Sequence, residues 1–406
     1  MLLKRCRAIG RVRQCDMNVG VYIHIPFCRF KCTYCDFNAY AGMRSLYEPY
    51  TRAVVTEIST LQSLPSTLAA ETIYLGGGTP SLLPLPMLAQ VLAACRASFD
   101  VSPDAETTLE ANPGTVDAAY LDGLRALGVN RLSLGVQSMH QAELDFFKRG
   151  HSFADAVEAV KLARAAGLYN LNIDLIYGIP RQTMTMWQET VTGALELAPN
   201  HVSMYCLTIE ERTALAIWVR RGQVPLPDDD LAADMVLWAD ERLAAEGLAR
   251  YEVSNWARQS QPREGSKPSQ GYRCRHNLVY WHNAPYLGFG AGAHSSFERR
   301  RFWNAAHPRE YVRQIEAGQS AIAGSEDIGR ELEMGETMML GLRLSEGVSF
   351  AHFEERFGVA MTRIYPRELA ELQNSGLIEV DEVGVRLTQR GWLLGNRVFS
   401  AFLLMD

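Results

Sequence analysis

The chain has no run of eighteen or more apolar residues, so the sequence predicts no helix that spans a membrane. It also lacks an excess of positive charge. The net charge is −6, which argues against a nucleic-acid-binding surface. Eight cysteines in 406 residues are too few for the disulfide framework of a small secreted protein. We therefore expect a protein of the cytoplasm that binds no nucleic acid.

The composition is that of an ordinary globular protein, with 47% apolar and 21% charged residues, and the length allows two or three domains. Residues 1–16 differ from the rest, because they contain no acidic side chain before Asp16. They also lack the apolar core of a secretory signal. We interpret them as a flexible tail or as a start assigned too early, with Met17 as the true first residue.

Three cysteines, Cys28, Cys32 and Cys35, stand directly after a predicted strand. Thiolates this close in sequence are poorly placed to pair with one another as disulfides. They are well placed to bind three irons of a [4Fe–4S] cluster, which normally takes four cysteines, so one iron would stay open to an outside ligand. A structural zinc site of the Cys3His type, with His24 as the fourth ligand, is the alternative. The cysteines alone favour the cluster only slightly.

Aromatic residues lie among these cysteines, namely Phe27, Phe30, Tyr34 and Phe37. They predict an apolar loop that shelters a redox centre from water. Such a loop is less typical of a zinc knuckle, but the choice between the two sites depends on the rest of the chain.

Strand-like and helix-like segments alternate over the first half of the chain. The predicted strands are Val21–Pro26, Thr72–Gly77, Glu106–Ala111, Arg131–Val136, Leu171–Tyr177 and His201–Thr208. The predicted helices are Glu48–Leu64, Pro86–Ser98, Val116–Leu127, Ala154–Ala166 and Thr185–Leu197. Repeated β–α units imply parallel strands with right-handed crossovers. Six units suit a partial, open version of the (β/α)8 barrel or a doubly wound sheet.

The unusual residues fall at the carboxyl ends of the predicted strands, where a β/α barrel carries its chemistry. The cysteines follow the first strand, and the later ends carry Gly76–Pro80, Glu110 with Asn112, Gln137 with Ser138, and Asp174. Each has a structural explanation of its own, such as a tight turn or a helix cap. Together they predict one pocket beside the cysteines, which favours the barrel.

After Thr208 the alternation stops. A polar segment, Arg258–Tyr272, predicts an exposed loop. Helices are predicted at Glu333–Leu344, Phe350–Phe357 and Ile364–Ser375, followed by short strands, as in a small winged-helix-like module. We divide the chain into the tail 1–16, a core barrel 17–215, a connecting region 216–330 and a C-terminal domain 331–406.

The three-cysteine loop, Gly76-Gly77-Gly78-Thr79-Pro80 and the Glu110 carboxylate together resemble the radical S-adenosylmethionine (SAM) superfamily. The likeness runs from Tyr22 to the C-terminus, and the phrase Tyr22–Cys28 is similar to the coproporphyrinogen dehydrogenase branch. The resemblance implies a partial (β/α)6 radical-SAM barrel followed by a smaller α+β C-terminal domain, and it implies that Cys28, Cys32 and Cys35 bind a [4Fe–4S] cluster whose open iron chelates SAM.

The resemblance also implies a set of residues that line the nucleotide site: Tyr22, Tyr34, Gly77, Gly78, Thr79, Glu110, Gln137, Arg149 and Asp174. Their chemistry suits that role. The carboxylates accept hydrogen bonds from ribose hydroxyls or an ammonium group, and Arg149 can hold a carboxylate. The glycines let the backbone approach a ligand closely.

Two features distinguish the chain within that branch. The dehydrogenases have a fourth cysteine two residues after the third, where this chain has Phe37. The phrases His276-Asn277-x-x-Tyr280-Trp281 and Tyr251–Asn255 resemble the HemW-type haem chaperones instead. An imidazole can ligate haem iron, the two aromatic rings offer flat surfaces to a porphyrin, and Asn277 can orient the ring or a propionate. From the residues alone, a hydrogen-bonded histidine beside two packed aromatics remains the alternative.

The resemblance therefore implies a haem chaperone that binds a [4Fe–4S] cluster, SAM and haem, and that hands haem to acceptor proteins such as membrane-associated respiratory enzymes. A homodimer is also expected. The alternative is an oxygen-independent coproporphyrinogen III dehydrogenase, which decarboxylates two propionates by radical chemistry. Phe37 and His276 favour the chaperone, and whether the protein catalyses a reaction stays open at this point.

Overall fold

The computed structural model describes residues 18–63, 67–259 and 271–403. The tail predicted at 1–16 and most of the loop predicted at Arg258–Tyr272 lie outside these residues. Strands are numbered β1 (Asn18–Ile25), β2 (Phe27–Cys28), β3 (Tyr40–Ala41), β4 (Leu68–Gly77), β5 (Phe99–Ala111), β6 (Arg131–Gln137), β7 (Asn170–Tyr177), β8 (His201–Cys206), β9 (Leu248–Glu252), β10 (Asn255–Arg258), β11 (Tyr286–Phe289), β12 (His294–Phe297), β13 (Arg300–Asn304), β14 (Ile322–Asp327), β15 (Val348–Ser349), β16 (Ile378–Val380) and β17 (Gly384–Leu387).

Helices are numbered α1 (Tyr47–Ser59), α2 (Leu85–Ser98), α3 (Ala118–Ala126), α4 (Gln141–Phe146), α5 (Phe153–Ala165), α6 (Met184–Glu196), α7 (Ala214–Arg220), α8 (Asp229–Ala245), α9 (Arg275–Trp281), α10 (Pro308–Glu316), α11 (Arg330–Gly341), α12 (Phe350–Phe357), α13 (Met361–Ile364), α14 (Pro366–Asn374), α15 (Gln389–Leu393) and α16 (Gly395–Ala401). In the described ranges, none of these helices is long and apolar enough to cross a membrane.

The chain forms two compact units, each built from separate stretches of sequence. The first contains residues up to Asp174 together with 207–226 and 285–326, and the second contains 175–206, 227–284 and the residues from Asp327 onward. The division falls inside β7, directly after Asp174. The boundaries 17–215, 216–330 and 331–406 stay predictions.

The first unit is built on a sheet whose strands lie in the order β14-β13-β12-β11-β1-β4-β5-β6. Strand β1 is parallel to β4 and β11, and β5 is parallel to β4 and β6. Every residue of β6 is buried, as is typical of a parallel strand covered on both faces. The carboxyl ends of the parallel strands meet at one edge, because Ile25 pairs with Gly77 and Glu110 pairs with Ser133.

The second unit contains the antiparallel strands β8, β10 and β9 and a C-terminal part with the sheet order β15-β17-β16. The helix predicted over Ile364–Ser375 is present as α14, but it begins two residues later, at Pro366, because the separate helix α13 ends at Ile364. Proline has no N–H to donate and disfavours helical geometry in the residue before it, so the helix breaks at Tyr365.

Candidate functional site

The cysteine loop is closed at its base by a short parallel pair, β2 with β3, in which Phe27 pairs with Tyr40 and Cys28 with Ala41. Its middle is anchored by Thr33, whose N–H and hydroxyl donate to the carbonyls of Phe147 and Phe146 at 3.2 and 2.9 Å. The three thiols on this loop are free and partly exposed. The loop therefore presents three cysteines from a backbone fixed at both ends and in the middle.

The surroundings of His24 argue against the zinc alternative. His24, the proposed fourth zinc ligand, uses both ring nitrogens within the protein: Nδ1 lies 2.9 Å from the Tyr22 hydroxyl and Nε2 lies 2.9 Å from the Asn38 carbonyl. Burial lowers the pKa of His24 and keeps the ring neutral. Among the described residues, no three Cys, His, Asp or Glu side chains are grouped closely enough for one metal ion. A cubane spaces its cysteines further apart, because each binds a different iron.

Two of the thiols have polar side chains beside them, one from the turn after β4 and one from the segment after α4. The Thr79 hydroxyl lies 3.6 Å from Cys28 Sγ, and Arg149 Nη1 lies 3.7 Å from Cys32 Sγ. Burial raises the pKa of Cys28 to about 11. Iron binds the thiolate, so loading this site with metal must displace a proton.

The aromatic residues of the loop divide into two pairs. Phe27 is buried and its ring packs 4.6 Å from that of Tyr47, while the Tyr34 ring packs 4.7 Å from that of Phe147. Phe30 and Phe37 are 54% and 70% exposed, so the prediction that all four rings shelter the cysteines from water was wrong for these two. Phe27 belongs to the β2–β3 pair, which directs its ring into the core. Phe30 and Phe37 lie between the two strands, outside this pairing.

The glycine turn after β4 is packed against the protein itself. Gly77 has φ +116°, and a Cβ there would lie 2.5 Å from the His24 ring. A Cβ on Gly78 would lie 2.6 Å from the Phe27 carbonyl oxygen. The Thr79 N–H also donates to that oxygen at 2.8 Å. The close approach that these glycines allow is therefore between the turn and the start of the cysteine loop.

Two carboxylates lie on β5 and β7, the strands on either side of β6. Glu110 accepts from the Tyr74 hydroxyl at 2.8 Å and from the Gly77 N–H at 3.0 Å, and burial raises its pKa to about 7. Asp174 accepts from Ser133 at 3.1 Å and from Asn172 at 2.8 Å. The sequence prediction included the two carboxylates but missed these partners. The signal for Asn172 was a polar residue two positions before Asp174, on the same face of β7.

Arg149 connects the cysteine loop to the strand ends. It donates to Cys32, to the Asn112 side chain and, at 2.6 Å, to the Gly135 carbonyl. Burial acts to lower its pKa, but Tyr34, Cys32 and Asp174 raise the pKa above its ordinary value. Asn112, which the sequence placed in the predicted pocket but not among the nucleotide-site residues, also donates to the Thr79 hydroxyl at 3.1 Å and so links Arg149 to Thr79.

Gln137 is the last residue of β6, and Tyr22 lies within β1. Gln137 is buried and has φ +71°, a left-handed conformation that non-glycine residues adopt rarely and that is concentrated at functional sites. Tyr22, on β1, stacks with Tyr74 of β4 with ring centroids 6.2 Å apart. The structure thus brings the three cysteines and the residues predicted to bind the nucleotide to one region of the first unit.

The second unit carries the histidine motif on helix α9. His276 is 1% exposed, and its Nε2 lies 3.0 Å from the Tyr280 hydroxyl one turn later. Trp281 packs beside Tyr251, Leu278 and Leu344, so the two motifs noted in the sequence meet in one cluster. Asn277 and Tyr280 are partly exposed. In this conformation the imidazole is hydrogen-bonded and covered.

Comparisons with known proteins show which families the chain is similar to. The family model described as the radical SAM superfamily matches residues 22–192, and the one described as the HemN C-terminal domain matches residues 330–394. A protein of Bacillus subtilis named heme chaperone HemW is 34% identical, with 95% of this chain and 99% of the relative covered. The protein of the same name in Mycobacterium tuberculosis is 37% identical, with 95% and 94% covered.

Among solved structures, coproporphyrinogen III oxidase (HemN) of Escherichia coli, described as a radical SAM enzyme, superposes with a TM-score of 0.81. It is 23% identical, and the match covers 95% of this chain and 90% of that one. This likeness confirms the predicted fold class, a partial radical-SAM barrel followed by a smaller C-terminal domain. With the nearly full-length relatives, it places the chain in a known group: this protein belongs to the radical SAM superfamily and, within it, to the HemW family.

Proposed function

We propose that this protein is a haem chaperone, which binds a [4Fe–4S] cluster, SAM and haem and delivers haem to acceptor proteins. The observation that carries the proposal is its relation, over nearly its whole length, to proteins named as haem chaperones. The exposed Phe37 supports it, because it stands where the dehydrogenase branch has a cysteine.

Cys28, Cys32 and Cys35 hold the cluster, which supplies an iron that is open to an outside ligand. Thr79 and Arg149 stabilise the thiolates of Cys28 and Cys32, because both are hydrogen-bond donors within reach of the sulfurs. Because thiols persist in a reducing compartment, we place this activity in the cytoplasm.

SAM lies against the strand ends beside that loop. Glu110 and Asp174 provide acceptors for its ammonium and ribose hydroxyls, and Arg149 provides donors for its carboxylate. Tyr22, Tyr34, Gly77, Gly78, Thr79 and Gln137 complete the walls of this site. Arg149 is engaged with Cys32, Asn112 and Gly135 in the structure, so it exchanges one of these contacts when SAM binds.

Haem binds through helix α9, with His276 as the axial ligand and Tyr280 and Trp281 against the porphyrin. The His276 imidazole is covered and Nε2 is engaged by Tyr280, so haem binding includes a local opening in which the iron replaces the Tyr280 hydroxyl. Asn277 orients the ring or a propionate. The acceptors are haem-requiring proteins, including membrane-associated respiratory enzymes, and the chaperone acts as a homodimer.

The test is an anaerobic comparison of two activities in one preparation. After cluster reconstitution, the protein is given reductant, SAM and coproporphyrinogen III, and tetrapyrrole products are separated by chromatography. Haem is titrated into a second sample and followed by its absorbance. Haem binding at a fixed stoichiometry with no protoporphyrinogen supports the chaperone. Turnover to protoporphyrinogen would overturn it in favour of a dehydrogenase.

A further inference from the structure

A group of unpaired polar atoms lies beside the histidine motif. Four side-chain atoms there are buried and have no hydrogen-bond partner: Trp281 Nε1, Arg343 Nε, Glu252 Oε2 and Asn255 Oδ1. Leaving a buried donor or acceptor unpaired destabilises a fold, and native proteins have few such atoms. Their concentration in one place is typical of a site that a ligand or water completes.

The four atoms lie close together, and three of them belong to the two sequence motifs noted above, Tyr251–Asn255 and His276–Trp281. Glu252 and Asn255 are hydrogen-bonded to each other and come from the β9–β10 turn. Trp281 ends helix α9, and Arg343 follows helix α11. The Arg343 guanidinium stacks 4.4 Å from the Trp281 ring centroid, and Glu252 is the acid whose charge acts on it.

Arg343 is the free cation of this neighbourhood. It is partly exposed, and within the described part of the chain its buried Nε has no hydrogen-bond partner and no carboxylate forms an ion pair with it. The rings of Trp281 and Phe399 hold it in place, with Phe399 5.5 Å away. Arginine presents five N–H donors in a fork that matches a carboxylate, so a stacked arginine with no acceptor is suited to bind one.

Glu252 borders this neighbourhood. Its side chain is fully buried, and its Oε1 accepts from the Ser254 N–H at 2.9 Å and from Asn255. Its second oxygen has no hydrogen-bond donor among the described residues. The hydrogen bonds that Glu252 makes are therefore local to its own turn and leave the Arg343 guanidinium without a bonded acceptor.

We propose that Arg343, together with Trp281, binds a carboxylate, and that this carboxylate is a propionate of the haem held by helix α9. The assignment rests on the proposed function. Asn277 supports it, because it lies four residues before Trp281 and so on the same side of the helix. The subsite would fix the orientation of a planar ligand that the axial bond alone leaves free to rotate.

The chain offers a matched control. Arg250 stacks on Trp392 with its guanidinium 3.8 Å from the ring centroid, but its Nε lies 3.5 Å from the Asp240 carboxylate. Arg250→Gln therefore removes a tryptophan-stacked arginine whose charge is already paired. Arg343→Gln removes one whose charge is unpaired. Arg343→Lys keeps the charge but loses the planar fork.

The experiment titrates haem and haem dimethyl ester, in which both propionates are blocked, into the full-length cluster-loaded protein. For Arg343→Gln we expect haem affinity to fall about tenfold, because losing one charge-assisted hydrogen bond weakens binding by about that factor. The affinity for the ester should stay unchanged, because the ester has no carboxylate for Arg343 to bind. The haem affinity of Arg343→Lys should lie between that of Arg343→Gln and that of the unsubstituted protein. Arg250→Gln should bind both ligands as tightly as the unsubstituted protein does.

Two results would overturn the subsite. If Arg343→Gln weakens haem and ester equally, Arg343 only supports the fold around the motif. If haem binding is unchanged but SAM binding is lost, the carboxylate belongs to SAM. A protein that binds neither haem nor its ester would contradict the proposed function itself, which is a different failure from that of the subsite.

Discussion

Replacing Tyr280 by phenylalanine is expected to tighten haem binding. In the structure, Nε2 of His276 lies 3.0 Å from the Tyr280 hydroxyl. An axial bond to iron uses that nitrogen, so the hydrogen bond stabilises only the haem-free state. Such a bond between neutral groups contributes about 1 kcal/mol net, which corresponds to roughly fivefold in affinity. The phenylalanine ring still offers a flat surface to the porphyrin.

The assay is an anaerobic titration followed by absorbance, with Tyr280→Phe compared with the unsubstituted protein and with His276→Ala. Iron-free protoporphyrin IX serves as the control ligand, because it has no metal for the imidazole and its affinity should not change in Tyr280→Phe. His276→Ala should weaken haem binding while iron and sulfide content stay the same. Haem affinity that is unchanged or reduced in Tyr280→Phe would show that His276 and Tyr280 form a purely structural pair.

Three further perturbations test other parts of the site. Cys32→Ala should abolish the cluster because two thiolates cannot hold it, and unchanged iron and sulfide content would refute this. Gly78→Ala should lower cluster occupancy and destabilise the fold by about 1–3 kcal/mol in urea unfolding, because its Cβ would lie 2.6 Å from the Phe27 carbonyl oxygen at the start of the loop. The raised pKa of Glu110, about 7, means that the folded state holds this proton more tightly than the unfolded state, so stability should fall as the pH rises from about 4.5 to 7. Glu110→Gln should remove that part of the pH dependence, and an unchanged stability profile would contradict the assignment.

The first half of the fold could be predicted because its sequence pattern is regular. The six predicted strands are present, and several helix boundaries agree within one or two residues, as at α5, Phe153–Ala165. Strands β4 and β5 begin earlier than predicted, at Leu68 and Phe99, where polar residues and Pro103 hide the alternation. The strand β11 was missed, because its four residues are too few to show a period of two and its pairing with β1 joins segments far apart in sequence.

The sequence could propose the residues of the candidate site but not their contacts. The positions of the cysteines, Glu110, Arg149 and Asp174 followed from strand ends and the family resemblance. Their partners did not, because the Arg149 contact with Cys32 joins residues far apart in sequence and depends on the folded loop. The covered state of His276 was equally hidden, since a motif does not show whether its side chain is exposed.

Haem transfer tests the central claim most directly. Cluster-loaded protein carrying one equivalent of haem is mixed anaerobically with a haem-free b-type cytochrome, and the absorbance of the assembled cytochrome is followed in time. The chaperone account predicts that haem moves to the cytochrome faster than it dissociates from the chaperone into a non-specific scavenger, and that His276→Ala, loaded with haem in the same way, loses this advantage. Haem that stays on the protein, or that reaches the cytochrome only at the rate of spontaneous dissociation, would contradict the account.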